Sequence, residues 1–130
     1  MSDTPHAWSG RPALAADDNE DSLKLASLML KRQGLVVAQA TDGRQAADHA
    51  RATPCDLILM DLEMPVLSGL EAIREIRAAG NARVRIVGLS AHADDAARSA
   101  CLTAGADDYL VKPMRMADLA RVLGALTPPP

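Results

Sequence analysis

The stretch Leu57-Ile58-Leu59-Met60-Asp61-Leu62-Glu63-Met64-Pro65 decides the fold of this chain. Its first four residues are apolar without alternation, which predicts a strand buried on both faces, as in parallel sheets. Asp61 follows at the exit of this strand, the edge at which open α/β sheets bind their ligands. A lone buried charge is strongly unfavourable, so we expect Asp61 to have a metal, a cationic partner or a chemical role.

Composition excludes several classes of function. The chain has 130 residues, 48% of them hydrophobic, which predicts one globular domain. The net charge of −3 argues against direct nucleic-acid binding, and no apolar run approaches the roughly 20 residues of a membrane span. The N-terminus lacks a secretory signal, and Cys55 and Cys101 lack C-x-x-C spacing. We therefore expect a cytoplasmic protein with two reduced, packed thiols and no direct membrane contact.

Apolar runs alternate five times with amphipathic segments, which indicates a doubly wound α/β sheet with helices on both faces. The predicted strands are Ala13–Ala16, Leu35–Gln39, Asp56–Met60, Arg85–Leu89 and Asp107–Val111. The predicted helices are Glu20–Gln33, Gly43–Ala52, Ser68–Ala79, Asp95–Ala104 and Met116–Leu126. The first strand has low strand propensity, and we retain it because the acidic pair that follows needs a strand to carry it.

The two ends of the chain lack this pattern. Residues 1–10 contain Pro5, Ser9 and Gly10 without periodicity, which predicts an N-terminal tail. Residues 11–126 form the predicted domain. Residues 127–130 are a proline-rich C-terminal end or linker, because prolines cannot continue a helix.

Chemically active side chains follow four of the predicted strands: Asp17-Asp18, Asp61, Ser90 and Lys112. The carboxyl ends of strands in such a sheet meet at one crevice. Three neighbouring carboxylates repel each other and therefore need a cation. Mg²⁺ suits such a site, because it prefers oxygen ligands and keeps several of its bound waters. The histidines are scattered and indicate no zinc site. A carboxylate beside a divalent ion and a lysine can attack a phosphoryl group, because both cations neutralise charge on the transferring oxygens.

Each of these motifs also has an ordinary structural explanation. Asp17-Asp18 suits the first turn of a helix, Asp61 could be a turn residue, and Ser90 and Lys112 could be solvated loop residues. Tyr109 could be a half-buried strand residue. Their joint occurrence at the strand ends favours a functional site over coincidence.

Taken together, these motifs resemble the receiver domain of response regulators in two-component signal transduction. The resemblance extends over residues of about 11–126 and rests on four matching pieces: Asp17-Asp18-Asn19-Glu20-Asp21, Asp61–Pro65 with Gly69 and Glu71, Ser90-Ala91, and Gly105–Pro113. It implies a five-stranded, flavodoxin-like (βα)5 fold with strand order 2-1-3-4-5. The segments Cys101-Leu102 and Asp107–Leu110 are more similar to receivers of hybrid histidine kinases.

The resemblance also implies roles for single residues. Asp61 matches the phosphoacceptor, which takes a phosphoryl group from a phosphohistidine on a histidine kinase or phosphotransfer protein. Asp18 matches a direct Mg²⁺ ligand, Asp17 an acid that acts through water, and the backbone carbonyl of Glu63 a third ligand. Lys112 matches the lysine that pairs with the phosphoryl group.

The resemblance also implies roles for four residues in switching and in the lifetime of the phosphorylated state. Ser90 matches the switch hydroxyl and Tyr109 the aromatic residue that turns inward with it. Glu63 and His92 stand where side chains tune hydrolysis of the acyl phosphate. The face formed by the fourth helix, fifth strand and fifth helix would then contact a downstream protein.

Two alternatives remain open. One is a Mg²⁺-dependent phosphatase that also forms an aspartyl phosphate, with Glu63 as its second acid. The other is an interaction module that is never phosphorylated. The main hypothesis is a signalling module that is not an enzyme and at most catalyses its own phosphorylation and dephosphorylation.

Overall fold

A computed structural model describes residues 6–130, which form five strands and five helices in strict alternation. The strands are β1 (Pro12–Ala16), β2 (Val36–Ala40), β3 (Leu57–Asp61), β4 (Arg85–Ser90) and β5 (Asp108–Val111). The helices are α1 (Glu20–Arg32), α2 (Gly43–Ala52), α3 (Gly69–Ala78), α4 (Asp95–Ala104) and α5 (Met116–Ala125). Every predicted element is present, and no boundary differs from its predicted position by more than one residue.

The five strands form one parallel sheet in the order β2-β1-β3-β4-β5, which confirms the predicted fold class. The register places Ala16 opposite Met60, Asp61 opposite Leu89, and Ser90 opposite Val111. The carboxyl ends of β1, β3, β4 and β5 are therefore neighbours along one edge of the sheet.

Helices cover both faces of the sheet, as the continuous apolar run in β3 predicts. Leu57 and Leu59 pack with α1 and α5, whereas Ile58 and Met60 pack with α2, α3 and α4. All of β3 is buried, including Asp61. The alanines of β1 are also buried, so burial between two helical layers compensates for their low strand propensity.

The N-terminal segment differs from the predicted tail. Residues 1–5 lie outside the described part of the chain, but Trp8 is only 1% exposed. Its indole Nε1–H donates hydrogen bonds to the carbonyl oxygens of Leu123 (2.9 Å) and Leu126 (3.2 Å). Trp8 thus anchors this otherwise exposed segment to the C-terminal end of α5.

The proline-rich end is also held against the domain. The side chain of Arg85 donates to the carbonyl oxygen of Thr127 (2.8 Å), and Arg11 and Arg83 donate to those of Pro129 and Pro130. In the part of the chain from residue 6 onward, no helix has the length and apolar character of a membrane span.

Cys55 and Cys101 are buried free thiols. Burial raises the pKa of each to about 11, so both stay protonated at neutral pH. Both cysteines therefore pack as small apolar residues.

Candidate functional site

Asp61 is the last residue of β3 and is 2% exposed. Leu62 N–H still pairs with β4, donating to the carbonyl oxygen of Leu89 (2.9 Å), and Gly69 N–H donates to the carbonyl oxygen of Leu62 (3.1 Å), which closes the loop between β3 and α3. A Cβ atom on Gly69 would lie 2.1 Å from the carbonyl oxygen of Asp61. Only glycine therefore allows α3 to begin this close to the site. Glu63 N–H donates to Asp61 Oδ1 (3.1 Å), which fixes the carboxylate orientation.

Asp17, Asp18 and Asp61 form an acidic cluster in which one oxygen of each lies within 4.8 Å of the others. Asp17 and Asp61 are buried and Asp18 is exposed. Asp17 follows β1, and its Oδ1 accepts a hydrogen bond from the backbone N–H of Asn19 (2.9 Å), the N-cap residue of α1. Such a set of carboxylate oxygens, with Asp18 exposed to water, suits a hard divalent cation. The structure thus brings together the three carboxylates predicted at the Mg²⁺ site. The backbone carbonyl of Glu63 stays a predicted ligand.

Lys112 supplies positive charge to this cluster. Its Nζ lies 3.1 Å from Asp17 Oδ2 and 3.3 Å from Asp61 Oδ2. The residue follows β5 and is held by its backbone N–H, which donates to the carbonyl oxygen of Ser90 (2.8 Å). The peptide bond between Lys112 and Pro113 is cis. One ammonium therefore faces two buried carboxylates.

The surroundings shift the pKa values of Asp61 and Lys112. Burial raises the pKa of Asp61 to about 6; the hydrogen bond from Glu63 N–H and the charge of Lys112 oppose this shift, and the charge of Asp17 adds to it. Burial alone would lower the pKa of Lys112, but its hydrogen bond to Asp17 and the charges of both carboxylates outweigh burial and raise it. Lys112 is thus charged at neutral pH, and Asp61 is predominantly ionised.

The side chain of Ser90 lies at the centre of a hydrogen-bonded chain at the end of β4. Its hydroxyl donates to Glu63 Oε2 (3.2 Å) and accepts from His92 N–H (3.0 Å). The other oxygen of Glu63, Oε1, accepts from Ala91 N–H (3.3 Å). The carboxylate of Glu63 therefore connects the exit of β3 to the exit of β4.

Tyr109 is 6% exposed and lies inward, with its hydroxyl donating to the carbonyl oxygen of His92. His92 itself is exposed. The structure therefore brings the predicted switch residues, Ser90 and Tyr109, and the two predicted lifetime residues into one connected group.

An apolar groove beside the site was missed by the sequence analysis. Leu25 and Leu28 of α1 are 54% and 48% exposed and lie next to Met114. The groove continues from Leu25 and Met114 to Asp17 and Lys112. The sequence did contain a signal for this groove. Leu25 and Leu28 make the apolar stripe of α1 wider than the face that packs against the sheet requires.

A family model described as response regulator receiver domain matches residues 13–123. The chain is 39% identical over 109 residues to hybrid signal transduction histidine kinase I of Dictyostelium discoideum, covering 78% of this chain and 6% of that protein. It is 41% identical over 113 residues to the transcriptional regulatory protein PrrA of Mycobacterium leprae, covering 87% of this chain and 48% of that protein. The chain thus spans less than half the length of either relative.

Two solved structures are similar over most of the chain. The receiver domain of sensor histidine kinase PA1611 from Pseudomonas aeruginosa, crystallised with a magnesium ion in its active site cleft, has 42% identity and a TM-score of 0.82, covering 90% of this chain and 97% of that one. A chain from the co-crystal structure of the Saccharomyces cerevisiae phosphotransfer protein Ypd1 and the receiver domain of Ssk1 has 26% identity and a TM-score of 0.86, covering 94% and 92%. Each likeness covers 90% or more of this chain, far more than a single motif.

Proposed function

The chain belongs to the response regulator receiver domain family of two-component signalling, and we propose that it is a module whose Asp61 accepts a phosphoryl group from a phosphohistidine. The observation that carries the proposal is the position of Lys112 Nζ, 3.3 Å from a buried aspartate at the end of β3 and within the same acidic cluster. A nucleophilic carboxylate beside fixed positive charge is the arrangement that phosphoryl transfer requires.

Magnesium is the proposed cofactor. Asp17, Asp18 and Asp61 offer three oxygens close enough to share one ion, and the related receiver of PA1611 was crystallised with magnesium in its active site cleft. The Glu63 backbone carbonyl is the proposed additional ligand. When bound, the ion would neutralise charge on the phosphoryl oxygens.

In the proposed transfer, a carboxylate oxygen of Asp61 attacks the phosphorus of the phosphohistidine. An O–P bond forms as the P–N bond breaks, and the bonding electron pair stays on the imidazole nitrogen, which then takes up a proton. The pKa of about 6 leaves the Asp61 carboxylate ionised at neutral pH and therefore nucleophilic. Lys112 acts as a point charge for the phosphoryl oxygens. Hydrolysis by water returns the free carboxylate and phosphate.

Phosphorylation is proposed to change the surface of the domain. The modification adds roughly two negative charges at pH 7, which Lys112 and the hydroxyl of Ser90 can contact. Movement of Ser90 and Tyr109 would then alter the face formed by α4, β5 and α5, where a downstream protein is proposed to bind. The module is not proposed to be an enzyme beyond catalysis of its own phosphorylation and dephosphorylation.

The proposed phosphodonor is a histidine kinase or a histidine phosphotransfer protein. The co-crystal structure of Ypd1 with the Ssk1 receiver supports this class of partner. The apolar groove of Leu25, Leu28 and Met114 runs up to Asp17 and Lys112, so a partner helix seated there would bring a histidine to Asp61. A cytoplasmic location, with no direct binding to nucleic acid or membrane, stays a prediction of this role.

The output of the module differs between the relatives. One is a hybrid kinase and the other a transcriptional regulator, and both are much longer than this chain. We propose a receiver of the hybrid-kinase type, with the proline-rich segment Thr127–Pro130 as the exit toward a linker. A stand-alone regulator is the alternative.

Glu63 and His92 are proposed to tune the lifetime of the acyl phosphate by ordering or excluding water. Both residues are exposed and contact the Ser90 hydroxyl, Glu63 through its carboxylate and His92 through its backbone N–H. We expect Glu63→Ala and His92→Ala to change the hydrolysis rate of phosphorylated Asp61, measured as release of inorganic phosphate. Unchanged rates in both variants would reject this role.

The proposal is tested by adding acetyl phosphate and Mg²⁺ to the purified chain and measuring its intact mass. We expect a single acid-stable, base-labile phosphoryl adduct in the wild type and in Asp21→Asn, which removes an exposed acid next to the cluster. Asp61→Asn should give none. An adduct in Asp61→Asn, or none in the wild type, would contradict the proposal.

The same samples separate the two alternatives. Multiple turnovers on a small phosphate ester, without accumulation of a stoichiometric adduct, would favour the phosphatase. A wild type that neither forms an adduct with acetyl phosphate nor binds beryllofluoride would favour the phosphorylation-independent module.

A further inference from the structure

The side chain of Glu63 reaches across from the exit of β3 to the exit of β4. Its Oε2 accepts a hydrogen bond from the hydroxyl of Ser90 (3.2 Å), and its Oε1 accepts one from Ala91 N–H (3.3 Å). Its backbone N–H meanwhile donates to Asp61 Oδ1 (3.1 Å). One residue thus connects the proposed phosphoacceptor to two consecutive donors at the exit of the neighbouring strand.

Two donors that converge on the two oxygens of one anion form an anion-binding pair. A phosphoryl group on Asp61 would present oxygens of the same kind with more negative charge. Ser90 is the hydroxyl proposed to contact that group, and Ala91 N–H points to the same side. In the unphosphorylated chain, these donors are already occupied by the Glu63 carboxylate.

The rest of the hydrogen-bonded chain is already arranged inward. The Ser90 hydroxyl accepts from His92 N–H (3.0 Å), and the His92 carbonyl accepts from the hydroxyl of Tyr109, which is 6% exposed. The contacts therefore run without a gap from Glu63 through residues 90–92 to the aromatic ring.

We propose that the Glu63 carboxylate stands in for the phosphoryl group and holds Ser90, His92 and Tyr109 in the inward arrangement before Asp61 is modified. Glu63 is a positioning residue, because it acts on Tyr109 through Ser90 and His92. The inference rests on the proposed function of Asp61 and adds a regulatory consequence. Phosphorylation then replaces one anion by another at these donors. Because Ser90 and Tyr109 already lie largely inward, phosphorylation changes their positions only slightly.

Tyr109 is the only tyrosine of the chain, so 3-fluorotyrosine labelling gives a single ¹⁹F resonance that reports its ring position. The wild type, Glu63→Gln and Glu63→Ala are compared with and without beryllofluoride and Mg²⁺. Glu20→Gln is the matched control, because its side chain is 82% exposed near the acidic cluster and does not touch Ser90. Circular dichroism checks that all variants are folded.

In the wild type, we expect the resonance without beryllofluoride to lie close to its position with beryllofluoride. Glu63→Ala should move it toward its position in the urea-unfolded chain, with the ratio of inward to outward Tyr109 lowered about tenfold, equivalent to about 1.4 kcal/mol. Beryllofluoride should then restore the inward position. Glu63→Gln, which keeps one acceptor, should lie between, and Glu20→Gln should match the wild type.

Two outcomes would overturn the inference. One is a wild-type resonance already at the outward position without beryllofluoride, and the other is a Glu63→Ala resonance unchanged from wild type. Either result leaves the proposed function standing if acetyl phosphate still modifies Asp61. Conversely, an Asp61 that acetyl phosphate never modifies would reject the proposed function, while the comparison without beryllofluoride would still show whether Glu63 holds Tyr109.

Discussion

Replacing Asp61 by asparagine is expected to stabilise the metal-free protein at neutral pH. Asp61 is almost fully buried and shares one ammonium, that of Lys112, with Asp17. Asparagine has nearly the same shape and keeps an acceptor for Glu63 N–H, but it removes the buried charge. The remaining carboxylate of Asp17 then has Lys112 to itself.

The magnitude follows from the pKa of Asp61, which is raised from 3.8 to about 6, chiefly by burial. An acid whose pKa is raised by folding binds its proton more tightly in the folded chain, so its contribution to stability falls as pH rises through this range. A difference of about two in pKa corresponds to about 3 kcal/mol. Because water at the open mouth screens part of the charge, we expect a gain of about 1–3 kcal/mol for Asp61→Asn above pH 6.

The assay is urea unfolding in EDTA at pH 4 and at pH 7.5. The free energy of unfolding of Asp61→Asn should exceed that of the wild type at pH 7.5, and the two should nearly coincide at pH 4, where Asp61 is protonated in the folded chain. Adding Mg²⁺ at pH 7.5 should stabilise the wild type more than the variant, since the proposed ligand oxygen is lost.

Asp56→Asn is the matched control with the opposite expected sign. Asp56 is also buried, but its two oxygens each lie 3.0 Å from an arginine, Arg83 and Arg11. Removing this carboxylate leaves both guanidinium groups without their anion, so we expect a loss of about 2 kcal/mol. A loss of stability for Asp61→Asn at pH 7.5, or the same gain at both pH values, would refute the reasoning.

Three further predictions concern packing around the site and the ends of the chain. Trp8→Phe should lower the free energy of unfolding by about 1–2 kcal/mol, because it loses the indole N–H donor and part of the buried ring volume. Trp8→Ala should lower it by about 3–5 kcal/mol, because it empties the whole ring site. Urea unfolding measures both, and equal losses would contradict this. Gly69→Ala should lower the free energy of unfolding by about 2 kcal/mol or more, because its Cβ would lie 2.1 Å from the carbonyl oxygen of Asp61. It should also lower the extent to which acetyl phosphate modifies Asp61. A variant with wild-type stability would show that the turn has room for a Cβ atom. Gly88→Ala should cost about 1–3 kcal/mol, because its Cβ would lie 2.3 Å from the sulfur of Cys101. Adding Cys101→Ala should recover part of that loss, and strictly additive effects in a double-mutant cycle would argue against this contact.

The fold was predictable because its signals are local. A buried parallel strand needs apolar residues on both faces, and the run Leu57–Met60 meets that requirement without information from the rest of the chain. The helices were equally clear, since their apolar spacing and polar caps are contained within each segment; Ser68, for example, caps α3 through Glu71. With the strand ends known, parallel pairing brings Asp17, Asp61, Ser90 and Lys112 to one edge. Their chemical roles stay predictions.

The sequence by itself therefore determined the sheet, its helices and the set of groups at its carboxyl edge. Only the tertiary structure decided that Trp8 is buried at the end of α5 and that Tyr109 lies inward. It also decided that Glu63 bonds to Ser90 and Ala91. The physical reason is that strand and helix patterns repeat within a few residues, whereas these contacts join residues that are distant in the chain. Such side chains choose among several rotamers and partners, including water, and that choice is fixed only when the surrounding elements are in place.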